Sequence, residues 1–86
     1  MLILTLSSYA PGGDEHAEGL QGIFPDMEHV VAYIESQRWN GVIGDITDFD
    51  YYTNPKPKNG MVRIAQSKGF LDDGYGGNYY SVWKAA

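Results

Sequence analysis

The sequence predicts an α+β fold: one helix packed on a four- to five-stranded, mainly antiparallel sheet, in two layers. Three observations carry that expectation. A nearly continuous apolar run, Leu2, Ile3, Leu4 and Leu6, opens the chain; one segment, Asp26 to Arg38, has the helical period; and the second half holds short β-branched and aromatic runs punctuated by proline, glycine and asparagine. The 86 residues suit a single domain, residues 1–86. With no cysteine, neither disulfides nor thiolate zinc sites can supplement the core, and the 43% hydrophobic content must supply it by packing.

Met1 to Tyr9 reads as a strand central in the sheet, because Leu2, Ile3, Leu4 and Leu6 make a nearly continuous apolar run. Ala10-Pro11-Gly12-Gly13 ends it, Asp14 to Gly19 reads as a polar acidic loop, and Leu20 to Phe24 as a short strand returning antiparallel. In the helix, Met27, Val30, Val31 and Ile34 recur at i, i+3, i+4, i+7, which lines one side. Pro25 and Asp26 suit its first turn, Arg38 its last, and Asn40-Gly41 offers a left-handed residue to close it. Glu28, His29, Ala32, Glu35 and Ser36 fall on the outward side.

Asp45 to Thr53 and Met61 to Gln66 read as a hairpin whose connection, Asn54 to Gly60, carries prolines and a terminal glycine that prevent ladder pairing. Ile46, Asp48 and Asp50 alternate with Thr47, Phe49 and Tyr51, the second set facing the core. Ser67 to Asp73 gives no clear signal, the glycine cluster around Tyr75 reads as a turn, and Tyr79 to Lys84 forms a last strand, with Tyr80 and Val82 alternating against Tyr79, Ser81 and Trp83.

The formal charge is −5 and unevenly laid out. Met1 to Gln37 holds Asp14, Glu15, Glu18, Asp26, Glu28 and Glu35 without a single lysine or arginine, whereas all six bases lie from Arg38 onward among five acids. Such polarity favours a basic protein surface as partner over a bare phosphate backbone. Asp45, Asp48 and Asp50, interleaved with Phe49, Tyr51 and Tyr52, are the most suggestive cluster, since exposed carboxylates beside tyrosines imitate phosphates or hold a partner's arginines. Mimicry of a whole duplex is out of reach: a domain about 30 Å across faces roughly 18 duplex charges over that length, against 11 acids here.

Other patterns are weaker. Asp14-Glu15-His16 with Glu18 gathers one imidazole among carboxylates, the minimum for a metal or an acid–base pair, yet no second ligand motif stands beside it. Asp72-Asp73-Gly74 with Asn78 is a fragment of a calcium loop and reads as a turn. Ser7, Ser8, His16 and His29 lack a nucleophile elbow. Tyr51 and Tyr52 with Lys56 and Lys58 match the aromatic-plus-basic recipe for single-stranded nucleic acid, set against the net negative charge. No run approaches the about 18 apolar residues of a membrane span, and Leu2 to Leu6 is short for a signal-peptide core.

The short acidic chain and its strand, loop, strand, helix opening, ending in Gly22-Ile23-Phe24-Pro25-Asp26, resemble small accessory proteins of phages and mobile elements, among them anti-CRISPR and antirestriction proteins. The resemblance implies a viral protein of the host cytoplasm that evades host defence by inhibition. The expectation is therefore a cytoplasmic, non-enzymatic inhibitor without cofactor or metal, acting as monomer or homodimer through protein–protein interaction. It would bind a basic surface of a host protein or ribonucleoprotein complex, with no membrane and no direct nucleic-acid contact. Its contact residues would be Asp14, Glu15, Glu18, Glu28, Glu35, Asp45, Asp48, Asp50, Tyr51 and Tyr52. The alternatives are a single-strand-binding module on Tyr51, Tyr52, Lys56 and Lys58, and a metal-dependent factor on Asp14, Glu15 and His16.

Overall fold

The computed structural model describes residues 1–9, 15–72 and 77–86. In chain order the elements are β1 (Leu2–Tyr9), β2 (Glu15–Phe24), α1 (Met27–Ser36), β3 (Val42–Ile43), β4 (Phe49–Tyr51), β5 (Met61–Ser67), β6 (Phe70–Asp72) and β7 (Gly77–Ala85). The fold is α+β, with one helix on an open antiparallel sheet of seven strands rather than four or five. The main path runs β2-β1-β7-β5-β4, and β6 joins β7 to β3.

β1 lies between β2 and β7, the interior position that its nearly continuous apolar run predicts. Leu4 is fully buried under α1, while Ile3 and Thr5 face away from the helix, paired with Trp83 and Ser81. Val30 and Ile34 of α1 enter a core shared with Leu4, Phe49, Ala65, Tyr80 and Val82. Thus the 3.6-residue period of the helix and the two-residue period of β7 meet at one apolar layer. The opposite face of the sheet, with Ile3, Met61, Arg63, Tyr79 and Trp83, has no helix on it among the described residues.

Several boundaries differ from the sequence reading. β2 begins at Glu15, so most of the expected acidic loop is strand, paired with β1 through Ser7–Glu18 and Ser8–Ala17. Cross-strand pairing overrides the weak local preference of glycine and acid there. The helix starts at Met27, with Asp26 as its extended N-cap whose carboxylate accepts the amide of His29 at 3.0 Å. It ends at Ser36, where Gln37 N–H turns back to Ile34 O at 3.1 Å, so Arg38 lies outside it. Gly41 is left-handed (φ +73°), but it serves β3: its carbonyl accepts Asp72 N–H, and a Cβ there would sit 2.5 Å from Asp72 O.

The expected strand from Asp45 to Thr53 shortens to Phe49–Tyr51, because the Asp45 carboxylate accepts both the amide and the hydroxyl of Thr47, at 2.8 and 2.7 Å. That local turn competes with the ladder and wins. The connection before β5 also pairs where none was expected. Lys58 and Met61 exchange backbone bonds around Asn59 (φ 55°) and Gly60 (φ 76°), a two-residue turn with both central residues left-handed. β3 and β6 are short strands without a local signal, β3 exposed and β6 burying Leu71, and flanking long-range bonds such as Gly69 N–H to Asp45 O at 2.8 Å fasten them. Residues 74–76 of the expected glycine turn, with residue 73 before it, lie outside the described residues, while Gly77 and Asn78 belong to β7.

Candidate partner-binding groove

The outward side of α1 and the edge of the sheet enclose a groove of about 470 Å³. From the helix come Glu28, Ala32 and Glu35 at i, i+4, i+7, with Met27 and Val31 one step round; from the facing segment come Thr47, Asp48, Phe49 and Tyr51. The helical period explains the first set: the stripe that feeds the core is wide enough for Met27 and Val31 to straddle core and groove. Alanine at 32 leaves open the space between two glutamates. β4 ends the strand order, so the facing wall is a sheet margin. The result is an apolar floor rimmed by Glu28, Glu35 and Asp48, with the Tyr51 ring 61% exposed at its lip.

The carboxylates of the region have distinct duties. Asp48 takes a charge-assisted bond from Lys68 Nζ at 3.0 Å and also accepts the Phe49 amide; Asp50 stands 4.0 Å from the same ammonium. These anions hold the Lys68 ammonium above its ordinary range, Asp48 contributing most. Lys68 therefore offsets one of the negative charges at this end of the groove. Asp45 is engaged by Thr47, whose hydroxyl and amide keep its carboxyl below the usual range. Asp45 braces the turn that carries Asp48 to the rim.

The structure thus brings Glu28, Glu35, Asp48 and Tyr51, four of the ten expected contact residues, into one groove. Asp50 pairs with Gln66, and the Tyr52 hydroxyl donates to Gln66 Oε1 at 2.6 Å, which places both toward the opposite face. Asp14 lies outside the described residues, and Glu15, His16 and Glu18 are placed only by the β2 backbone, their side chains lying outside the described part. Met27, Val31, Ala32 and Phe49 were read only as core or as helix surface; their role in the groove depends on where α1 crosses β4, which periodicity does not contain.

At the N-terminus of α1, His29 Nδ1 lies 2.7 Å from Asp26 Oδ1, and the pair is well exposed. The hydrogen bond raises the His29 imidazole above its ordinary value and lowers the Asp26 carboxyl. Among the described residues, no group of three or more His, Cys, Asp or Glu is placed to hold a metal ion, and no helix is long and apolar enough to cross a membrane. Comparisons with protein families, characterised proteins and solved structures find no match to this chain.

Proposed function

We propose that this chain is a non-enzymatic binding protein that takes a basic, apolar-anchored segment of a partner into the groove between α1 and β4. The observation that carries the reading is the convergence of Glu28, Glu35 and Asp48 on an apolar floor of Met27, Val31, Ala32 and Phe49. Apolar side chains supply affinity by leaving water, and the carboxylate rim selects arginine or lysine and speeds encounter. A nucleic-acid-processing protein or ribonucleoprotein is the proposed partner class, since its basic channel offers such segments. Occupying the channel would block nucleic-acid access or assembly, the two modes that the resemblance to anti-CRISPR and antirestriction inhibitors implies.

The test uses a fluorescent peptide of alternating leucine and arginine as probe. Reversing Glu28 and Glu35 together to lysine should weaken binding about tenfold or more and flatten its salt dependence. Filling the groove with Ala32→Trp should block binding without changing charge. Lys68→Ala, which frees Asp48, should tighten binding about two- to fivefold. Unchanged affinity in the charge-reversed and groove-filled variants rejects the reading.

A further inference from the structure

The net negative charge argues against nucleic acid only if it is spread evenly, and the fold separates it. Three of the six cationic side chains, Lys56, Lys58 and Arg63, collect on or beside the helix-free face of the sheet. There the Arg63 guanidinium lies over two rings, 5.3 Å from the centroid of Tyr52 and 5.7 Å from that of Trp83. Its Nη1 also donates to the Tyr79 hydroxyl at 3.3 Å. The two rings are fixed at their polar ends as well: Trp83 Nε1–H donates to Thr5 Oγ1 at 3.0 Å, and the Tyr52 hydroxyl to Gln66. Rings held in this way lose little conformational entropy when a ligand stacks on them.

Beside each ring is a concavity rimmed by a lysine. The first, of about 330 Å³, has Trp83, Ile3 and Met61 as its apolar lining and Lys58 with Asn59 at its rim. The second, of about 140 Å³, is formed by Tyr52, Pro55, Lys56 and Arg63. Lys58 is held at the first by the Asn59-Gly60 turn, whose backbone bonds to Met61 fix the tip of the loop. An aromatic wall with an ammonium at its rim occurs twice on one face. A strand of nucleic acid repeats planar base and phosphate in the same way. An acidic peptide would match the lysines but not the paired aromatic slots.

From this geometry we infer a second binding site: the two concavities on the helix-free face take single-stranded nucleic acid, its bases stacking at Trp83 and Tyr52 and its phosphates meeting Lys58 and Lys56. The site is independent of the groove under α1. Glu28, Glu35 and Asp48 line the groove, whereas Lys56, Lys58 and Arg63 stand on or beside the other face together with Asp50, so one molecule can hold a basic protein segment and a nucleic-acid strand together.

The test is fluorescence anisotropy of a labelled oligothymidylate at a series of salt concentrations. The wild-type chain should bind at low salt, and the double variant Lys56→Ala, Lys58→Ala should reduce the log–log salt slope by about 1.4, or about 0.7 for each phosphate that no longer meets an ammonium. Trp83→Ala should weaken binding about tenfold, with Trp83→Phe restoring most of it because stacking needs a ring rather than an indole. Glu28→Lys with Glu35→Lys should leave the lysine dependence in place, which separates this site from the groove. Absence of binding at low salt overturns the inference, as does an unchanged salt slope in the lysine variant. Displacement of the oligonucleotide by polyglutamate at equal charge concentration also overturns it, since that would make the face a general anion surface.

Discussion

Close backbone approaches at two glycines fasten the 41–45 segment to the chain around β6, and replacing them by alanine tests that architecture. Gly69 has an ordinary backbone conformation, but a Cβ there would lie 2.7 Å from the N and C atoms of Asp45 and from Ile43 O, all main-chain atoms that cannot swing aside. Gly60 is the opposite case: φ is +76° and nothing lies within 4 Å. Gly41 combines both, with φ +73° and Asp72 O at 2.5 Å. Gly60→Ala should cost about 1 kcal/mol, the left-handed penalty of roughly 1–2 offset in part by a stiffer unfolded chain. Gly69→Ala should cost about 1–3 kcal/mol through overpacking alone. Gly41→Ala adds both effects and endangers the Asp72 N–H to Gly41 O bond, so about 2–4 kcal/mol is expected.

Urea unfolding reads these values as shifts in midpoint at constant slope, and each kcal/mol should move the thermal midpoint by about 4–8 °C in a domain of this size. Gly69→Ala should also weaken capture of the basic peptide, because it pushes on the turn that carries Asp48. Two results would refute the reasoning: a Gly69→Ala protein within about 0.5 kcal/mol of wild type, or Gly41→Ala no more costly than Gly60→Ala. The first would mean that the 43–45 segment yields freely. The second would mean that steric crowding adds nothing to conformation.

Two further predictions concern single side chains. The raised His29 pKa means that its bond to Asp26 stabilises the helix start fully below the unfolded value of about 6.5 and is lost as pH rises through the folded value; the lowered Asp26 pKa makes its share present above about 3.8 and lost as pH falls. Nuclear magnetic resonance titration should give His29 a midpoint above 6.5 that returns toward it in Asp26→Asn, and an unmoved midpoint would deny the pair. Ser7 and Ser81 are fully buried on the helix-free face and their hydroxyls find no partner among the described residues. Replacing either by alanine should be neutral or stabilising by up to about 1 kcal/mol, since an unmet desolvation cost is removed; a loss of that size on chemical denaturation would show that the hydroxyl has a bonded partner.

The local signals were strongest where burial and backbone period coincide. The apolar stripe Met27, Val30, Val31, Ile34 lay open in the sequence, and so did the outward set Glu28, His29, Ala32, Glu35 and Ser36, all of which are exposed. The alternation Tyr80, Val82 against Tyr79, Ser81, Trp83 also assigned the two faces of β7. The left-handed tendency of Asn40-Gly41 was legible, but not its use, because a positive φ says how the chain turns and not what it approaches. Asp45 was read as a free anion, yet its nearest hydroxyl stood two residues away in Thr47; an aspartate two residues before threonine is a turn signal that the strand pattern masked.

Taken alone, the amino-acid order determined the class of fold, the helix and its two sides, the three long strands that build the core, and the absence of thiol chemistry. Each of these follows from short-range periodicity or from composition, which any stretch of about ten residues carries by itself. Which carboxylates share a groove, which tyrosine joins them and which turns to the other face were decided only by tertiary structure. Glu28 and Asp48 are twenty positions apart, and Tyr51 and Tyr52 are neighbours that separate to opposite faces. Such placements depend on how a helix crosses a sheet edge and on the strand register, and these are set by the packing of the whole core.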